Sequence, residues 1–151
     1  MPDARSFAES LRRQDAGRDG DDAEARAGFL RERPTAQAFS LRLRFKDGRS
    51  AQGLPWALFA GYDWSDAGRN ERLTLMFTAR VVDIEGQYLW RLVEEIDDGQ
   101  LKAVQEHNAA EIALLRSENA DQRPGHQKPV IVSIAISPSF EECSRELRGG
   151  L

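Results

Sequence analysis

Residues 81–96, VVDIEGQYLWRLVEEI, change their hydrophobic period in mid-course, and this change limits the fold more than any other stretch of the chain. Before Gly86, Val82 and Ile84 alternate with polar neighbours, the period of a half-buried strand. After it, Leu89, Leu92, Val93 and Ile96 recur every three or four residues and share one helical face, with Arg91, Glu94, Glu95 and Asp98 opposite and Trp90 on the flank. A strand that runs directly into an amphipathic helix must lay that helix back on its sheet. The pattern predicts a helix over 87–98, with Gly86 as the hinge.

Upstream, AFSLRLRFKDGRSAQG (38–53) contains the clearest strand: Phe39, Leu41, Leu43 and Phe45 alternate with Ser40, Arg42, Arg44 and Lys46. KDGR then carries an Asp-Gly turn signal and predicts a hairpin whose return strand covers about 49–54. Pro55 can open a helical turn, and Leu54, Trp56, Leu58 and Phe59 are bulky enough for the core. AGYDW reads as a short strand and SDAGRN as a loop. RLTLMFTARVVDI alternates through Leu73, Leu75 and Phe77, then shifts phase to Val82 and Ile84, which predicts a bend near Ala79–Arg80.

Downstream, DDGQLKAVQEHNAAEIALLRSE continues with helical spacing and predicts a second helix over 100–118, N-capped by Asp97 or Asp98. Its stripe is Leu101, Val104, Asn108, Ile112 and Leu115. A buried Asn is costly unless its amide is paired. Either backbone within the monomer satisfies Asn108, or the helix packs on a partner, most simply a second copy in a homodimer. VIVSIAIS (130–137) is β-branched and reads as a buried strand ended by Pro138. The expected architecture is α+β: a mainly antiparallel, bent sheet of about five strands with helices 87–98 and 100–118 packed on it.

The 151 residues suit one domain with tails. Residues 14–28 hold no apolar side chain larger than Ala apart from the chain's approach to Phe29, so 1–35 is expected as a flexible tail, 36–137 as a single α+β domain and 138–151 as a polar tail. One cysteine, Cys143, can form no internal disulfide, and the N-terminus shows no uninterrupted apolar segment, so the expected compartment is the cytoplasm. No apolar run reaches the length of a membrane helix. A net charge of −4 argues against nucleic acid as partner.

Catalytic patterns are sparse. No nucleophile elbow, phosphate loop or C-x-x-C occurs. The two histidines, His107 and His126, have no evident nucleophile beside them. His107 and Glu111 have i,i+4 spacing, which on a helix gives half a metal site or a solvated pair. EEIDDGQLKAVQE fails as a calcium loop because Ile96 and Gln105 fall where carboxylates are required. No cofactor or metal is therefore expected. A carboxylate enzyme would use Asp63, Asp66 or Asp83.

LRLRFKDGRSAQGLPWALF (41–59) resembles the first motif of Sm-like RNA-binding proteins, and VVDIEG (81–86) resembles the second. The resemblance implies a strongly bent small sheet and an RNA-binding module. The chain departs at the positions that hold bases: GYDWSD replaces the Asp-x-x-Met-Asn pattern, and Glu85 stands where the family has Arg. The order of strand, LPW and I-x-G-x-x-L-x-x-L is also similar to small uncharacterised bacterial proteins, a likeness that implies no activity. The leading expectation is a non-catalytic binding or adaptor domain that meets a protein partner or its own copy, with Trp64, Trp90 and Asn108 as contact residues; the Sm-like module is the alternative.

Overall fold

The structure, a computed structural model, describes residues 28–31 and 37–139. It is α+β and mostly antiparallel, as expected, but among the described residues the strands number eight and form two sheets rather than one sheet of about five. They are β1 (Phe29–Arg31), β2 (Ser40–Arg44), β3 (Ala51–Pro55), β4 (Phe59–Asp66), β5 (Glu71–Phe77), β6 (Arg80–Gln87), β7 (Leu101–Gln105) and β8 (Val130–Pro138). A single 3-10 turn, Trp56–Leu58, follows β3, and the helices are α1 (Trp90–Asp97) and α2 (Ala109–Ala120). One sheet has the order β1-β7-β2-β3, the other β4-β5-β6-β8. The pairing of β2 with β7 is parallel; the rest are antiparallel.

The additional strands have three origins. Residues 71–87 are two strands, not one bent strand: β5 and β6 form a hairpin through Thr78–Ala79, so the phase shift is a chain reversal. LKAVQ is β7, not the start of a helix, so the expected helix 100–118 is replaced by a strand and a shorter α2. Gly99, at φ +69, ends α1: its N–H donates to Ile96 O, and Gln100 N–H to Glu95 O, the paired bonds of a Schellman stop. Phe29–Arg31, inside the stretch expected as tail, is an edge strand on β7, with Leu30 buried and the Arg91 guanidinium 5.8 Å from the Phe29 ring centre. The other expectations for the tails fall on 1–27, 32–36 and 140–151, outside the described residues.

One core joins both sheets. Leu41, Leu43, Leu54, Leu101 and Val104 from the first meet Leu73, Leu75, Phe77, Val82, Ile84 and Ile131 from the second, and α1 inserts Leu92 and Val93 between them. Trp56 packs edge-on against Phe59, with ring centres 5.0 Å apart, and donates its indole N–H to Leu101 O at 2.8 Å. Gly86 does not act as the expected hinge. It lies inside β6 at a bulge opposite β8, where a Cβ would stand 1.8 Å from Val130 O. The chain turns into α1 two residues later, at Tyr88, whose φ is 57°.

Candidate functional site

Helix α1 starts without a cap of its own, since Leu89 at the N-cap offers no side-chain acceptor. Glu71, at the start of β5 and directly opposite Gly86, supplies it from another element. Its carboxylate accepts the N–H groups of Tyr88 and Leu89, the latter at 3.2 Å, and thereby satisfies donors that the first turn leaves open. It also accepts the indole N–H of Trp64 at 2.9 Å. A negative group at a helix N-terminus is favoured by the helix dipole, and here the same group orients an aromatic ring.

Trp64 from β4 meets Trp90, the first residue of α1. Their ring centres are 5.3 Å apart at 72°, an edge-to-face pair. The structure thus brings together two of the three residues expected at a contact surface. The pair is not buried: Trp64 is 38% exposed and Trp90 48%. Tyr88 beside them is 39% exposed and held in the left-handed region, which a non-glycine residue enters at a cost.

Trp90 and Tyr88 form one wall of a groove of about 480 Å³, lined further by Arg91, Glu94, Glu95 and the turn Gly125–Gln127. That turn is anchored from α2. Buried Asn119 donates its amide to Lys128 O at 2.9 Å and accepts Lys128 N–H at 2.8 Å. Of the charged lining groups, Arg91 lies over Phe29. Glu95, expected on the wet face, is only 8% exposed. Its Oε2 faces Arg31 Nε at 3.4 Å without a well-formed hydrogen bond, so charge rather than a directed bond holds that oxygen. Glu94 is exposed and has no ion pair among the described residues.

Asn108 is satisfied by backbone within the monomer, one of the two alternatives the sequence left open, though at a helix cap and not within a stripe. It is exposed and N-caps α2: its side chain accepts Glu111 N–H at 2.9 Å while Glu111 accepts Asn108 N–H at 3.2 Å, a complete capping box. No helical stripe runs through it, so the argument for a register-setting Asn in a dimer loses its premise. His107 and Glu111 do not share a helix face, because His107 precedes the cap. It is fully buried, and its Nδ1 accepts Ile131 N–H at 3.0 Å. Among the described residues no three His, Cys, Asp or Glu side chains converge as a metal-binding set. The three Asp residues considered for catalysis are not gathered. Asp83 accepts Thr74 Oγ1 at 2.8 Å and lies 3.4 Å from Arg72 Nε; Asp66 accepts Gly68 N–H at 2.9 Å in a turn; Asp63 is exposed on the edge strand.

Sequence reasoning missed Glu71, Tyr88 and the 125–127 turn. Only the turn carried a local signal, its Pro-Gly pair. No helix among the described residues is long and apolar enough to cross a membrane. No protein-family model, curated protein or solved structure matches the chain.

Proposed function

We propose that this chain is a non-catalytic binding or adaptor domain whose partner is a protein, met at the Trp64–Trp90–Tyr88 surface. The observation that carries the reading is the exposed tryptophan pair fixed by Glu71. Large aromatic rings are costly to leave in water, and they carry a disproportionate share of energy when an interface covers them. These rings are already oriented, which lowers the entropy that a partner's arrival would cost. The left-handed Tyr88 adds to the case, because backbone strain that the surrounding structure maintains gathers at binding sites.

Affinity capture with the tagged full chain, run beside Trp64→Ser/Trp90→Ser, tests the reading. A protein held by the wild type, lost by the double variant and rebound from purified components is the expected result. An unchanged set of bound proteins counts against it. Nuclease-sensitive material with the absorbance of nucleic acid would favour the Sm-like alternative instead.

A further inference from the structure

We propose that the groove beside Trp90 receives an arginine side chain from a peptide segment of the partner protein, with the guanidinium stacked on the indole and paired with Glu94. The inference rests on the binding-domain reading above and names the chemistry of what is bound.

Trp90 and Glu94 are four residues apart on α1, hence one turn apart on the same side, and both line the groove. A planar cation lying on the ring is therefore within reach of the carboxylate. The neighbouring charges are already engaged: Arg91 lies over Phe29, and Glu95 faces Arg31. Glu94 remains as the open carboxylate of the lining, with the His126 imidazole across from it as the other group there that can carry charge. A volume of about 480 Å³ falls within the range of ligand-holding clefts, which begins at roughly 300 Å³.

The charge pattern of α1 points the same way independently. Glu94, Asp97 and Asp98 crowd its C-terminal half, and no basic residue stands in its last turn. The helix dipole disfavours anions at that end. Burial, together with Asp97 close by, holds the Tyr62 phenol above the ordinary 10.0, and Asp98 and Glu94 have no side-chain partner among the described residues. Acidic residues kept where the helix gains nothing from them complement a basic segment running from the groove along the outer side of α1. Arginine suits this site better than lysine, because a flat guanidinium both stacks on an aromatic face and forks onto a carboxylate.

The test uses the full chain, isotopically labelled and followed by NMR, titrated with N-acetylarginine amide and with its uncharged citrulline counterpart. Saturable shifts of the Trp90 indole and of the Gly125–Gln127 amides are expected with the arginine probe. Citrulline should bind about tenfold more weakly, and Glu94→Gln, which removes only an exposed ion pair, should weaken the arginine probe by roughly two- to fivefold. Equal binding of citrulline, an unaffected Glu94→Gln variant, or no saturable shift at tens of millimolar overturns the proposal. So does uridine monophosphate moving these resonances where the arginine probe does not. A partner captured through Trp64 and Trp90 would survive each of those failures, so the two readings can fail separately.

Discussion

At the scale of single residues, the turn that sequence reasoning assigns to Gly86 falls on Tyr88. A glycine before a helical stripe suggests a hinge, but Gly86 is needed because β8 passes against its Cα; the turn itself falls on a tyrosine. Nothing local distinguishes the two cases, since close approach by Val130 depends on a strand 44 residues away in register with β6. Gly86→Ala should therefore cost about 1–3 kcal/mol or more, because the Cβ meets backbone rather than a side chain that can move aside. An unchanged urea midpoint would refute the close contact. Tyr88→Gly should raise stability by up to about 1 kcal/mol, as release from the left-handed region outweighs the entropy of glycine, yet weaken partner binding. Stability and capture measured on the one variant check both signs. Asp47 closes the first hairpin by accepting the N–H groups of Arg49 at 2.9 Å and Ser50 at 3.1 Å, and these bonds hold its carboxyl below the ordinary 3.8. The folded chain thus releases this proton more readily than the unfolded chain. Asp47's contribution is complete above 3.8 and is lost as pH falls through the lower, folded value. Melting curves of wild type and Asp47→Asn should converge in that acidic window. A gap independent of pH would contradict the assignment.

At the scale of elements, the legible parts are those whose signal is local. Alternation in 39–45 with the Asp-Gly turn gives β2 and its hairpin, β-branched density gives β8, and the stripe through Leu92 and Val93 gives α1. The segment LKAVQ was misread because Leu101 and Val104 fit helical spacing as well as they fit a short strand, and its strand character comes from pairing with β1 and β2 on either side. Two local signs were nevertheless present: Gly99 suited a helix stop better than an interior position, and Asn108-Ala-Ala-Glu111 spells a capping box. The candidate site was half legible. Trp64 and Trp90 stood out as large aromatics near polar neighbours, but their contact depends on β4 and α1 meeting in space, and Glu71 looked like any surface acid. Its structural importance can be measured. Glu71→Ala removes acceptors from Trp64 Nε1 and from the Tyr88 and Leu89 N–H groups, and should cost about 1.5–3 kcal/mol, the range for bonds to a charged group. Tryptophan emission should shift to the red as the pair loosens in the still-folded protein. A loss under about 0.5 kcal/mol with unchanged emission would mean that the helix starts without Glu71.

At the scale of the molecule, the problem is how two four-stranded sheets share one core without leaving an edge open between them. The joint lies at Glu106–His107, just past β7. Glu106 N–H donates to Arg44 O at 2.9 Å at the end of β2, and its carboxylate accepts Lys46 N–H at 3.1 Å in the hairpin turn just past it. The other carboxylate oxygen accepts Ile134 N–H at 2.6 Å on β8, the outer strand of the second sheet. His107 completes the closure by donating its N–H to Ile131 O at 2.9 Å and accepting Ile131 N–H at Nδ1. On the outer edge of β8, Ile131 and Ile134 are thus bonded by two residues of the strand-to-helix link instead of by another strand. If this joint couples the sheets, Glu106→Ala should lower stability by about 1.5–3 kcal/mol through both halves at once. The urea transition should remain single with an unchanged slope, since the surface exposed on unfolding is the same. Amide exchange should quicken at Lys46 and Ile134 together, although 88 positions separate them in the chain. Glu106→Gln, which keeps one oxygen acceptor, should retain part of the loss. Two resolved transitions, or faster exchange confined to the β2–β3 hairpin, would show that the sheets are held by the apolar core alone and that the carboxylate only decorates a turn.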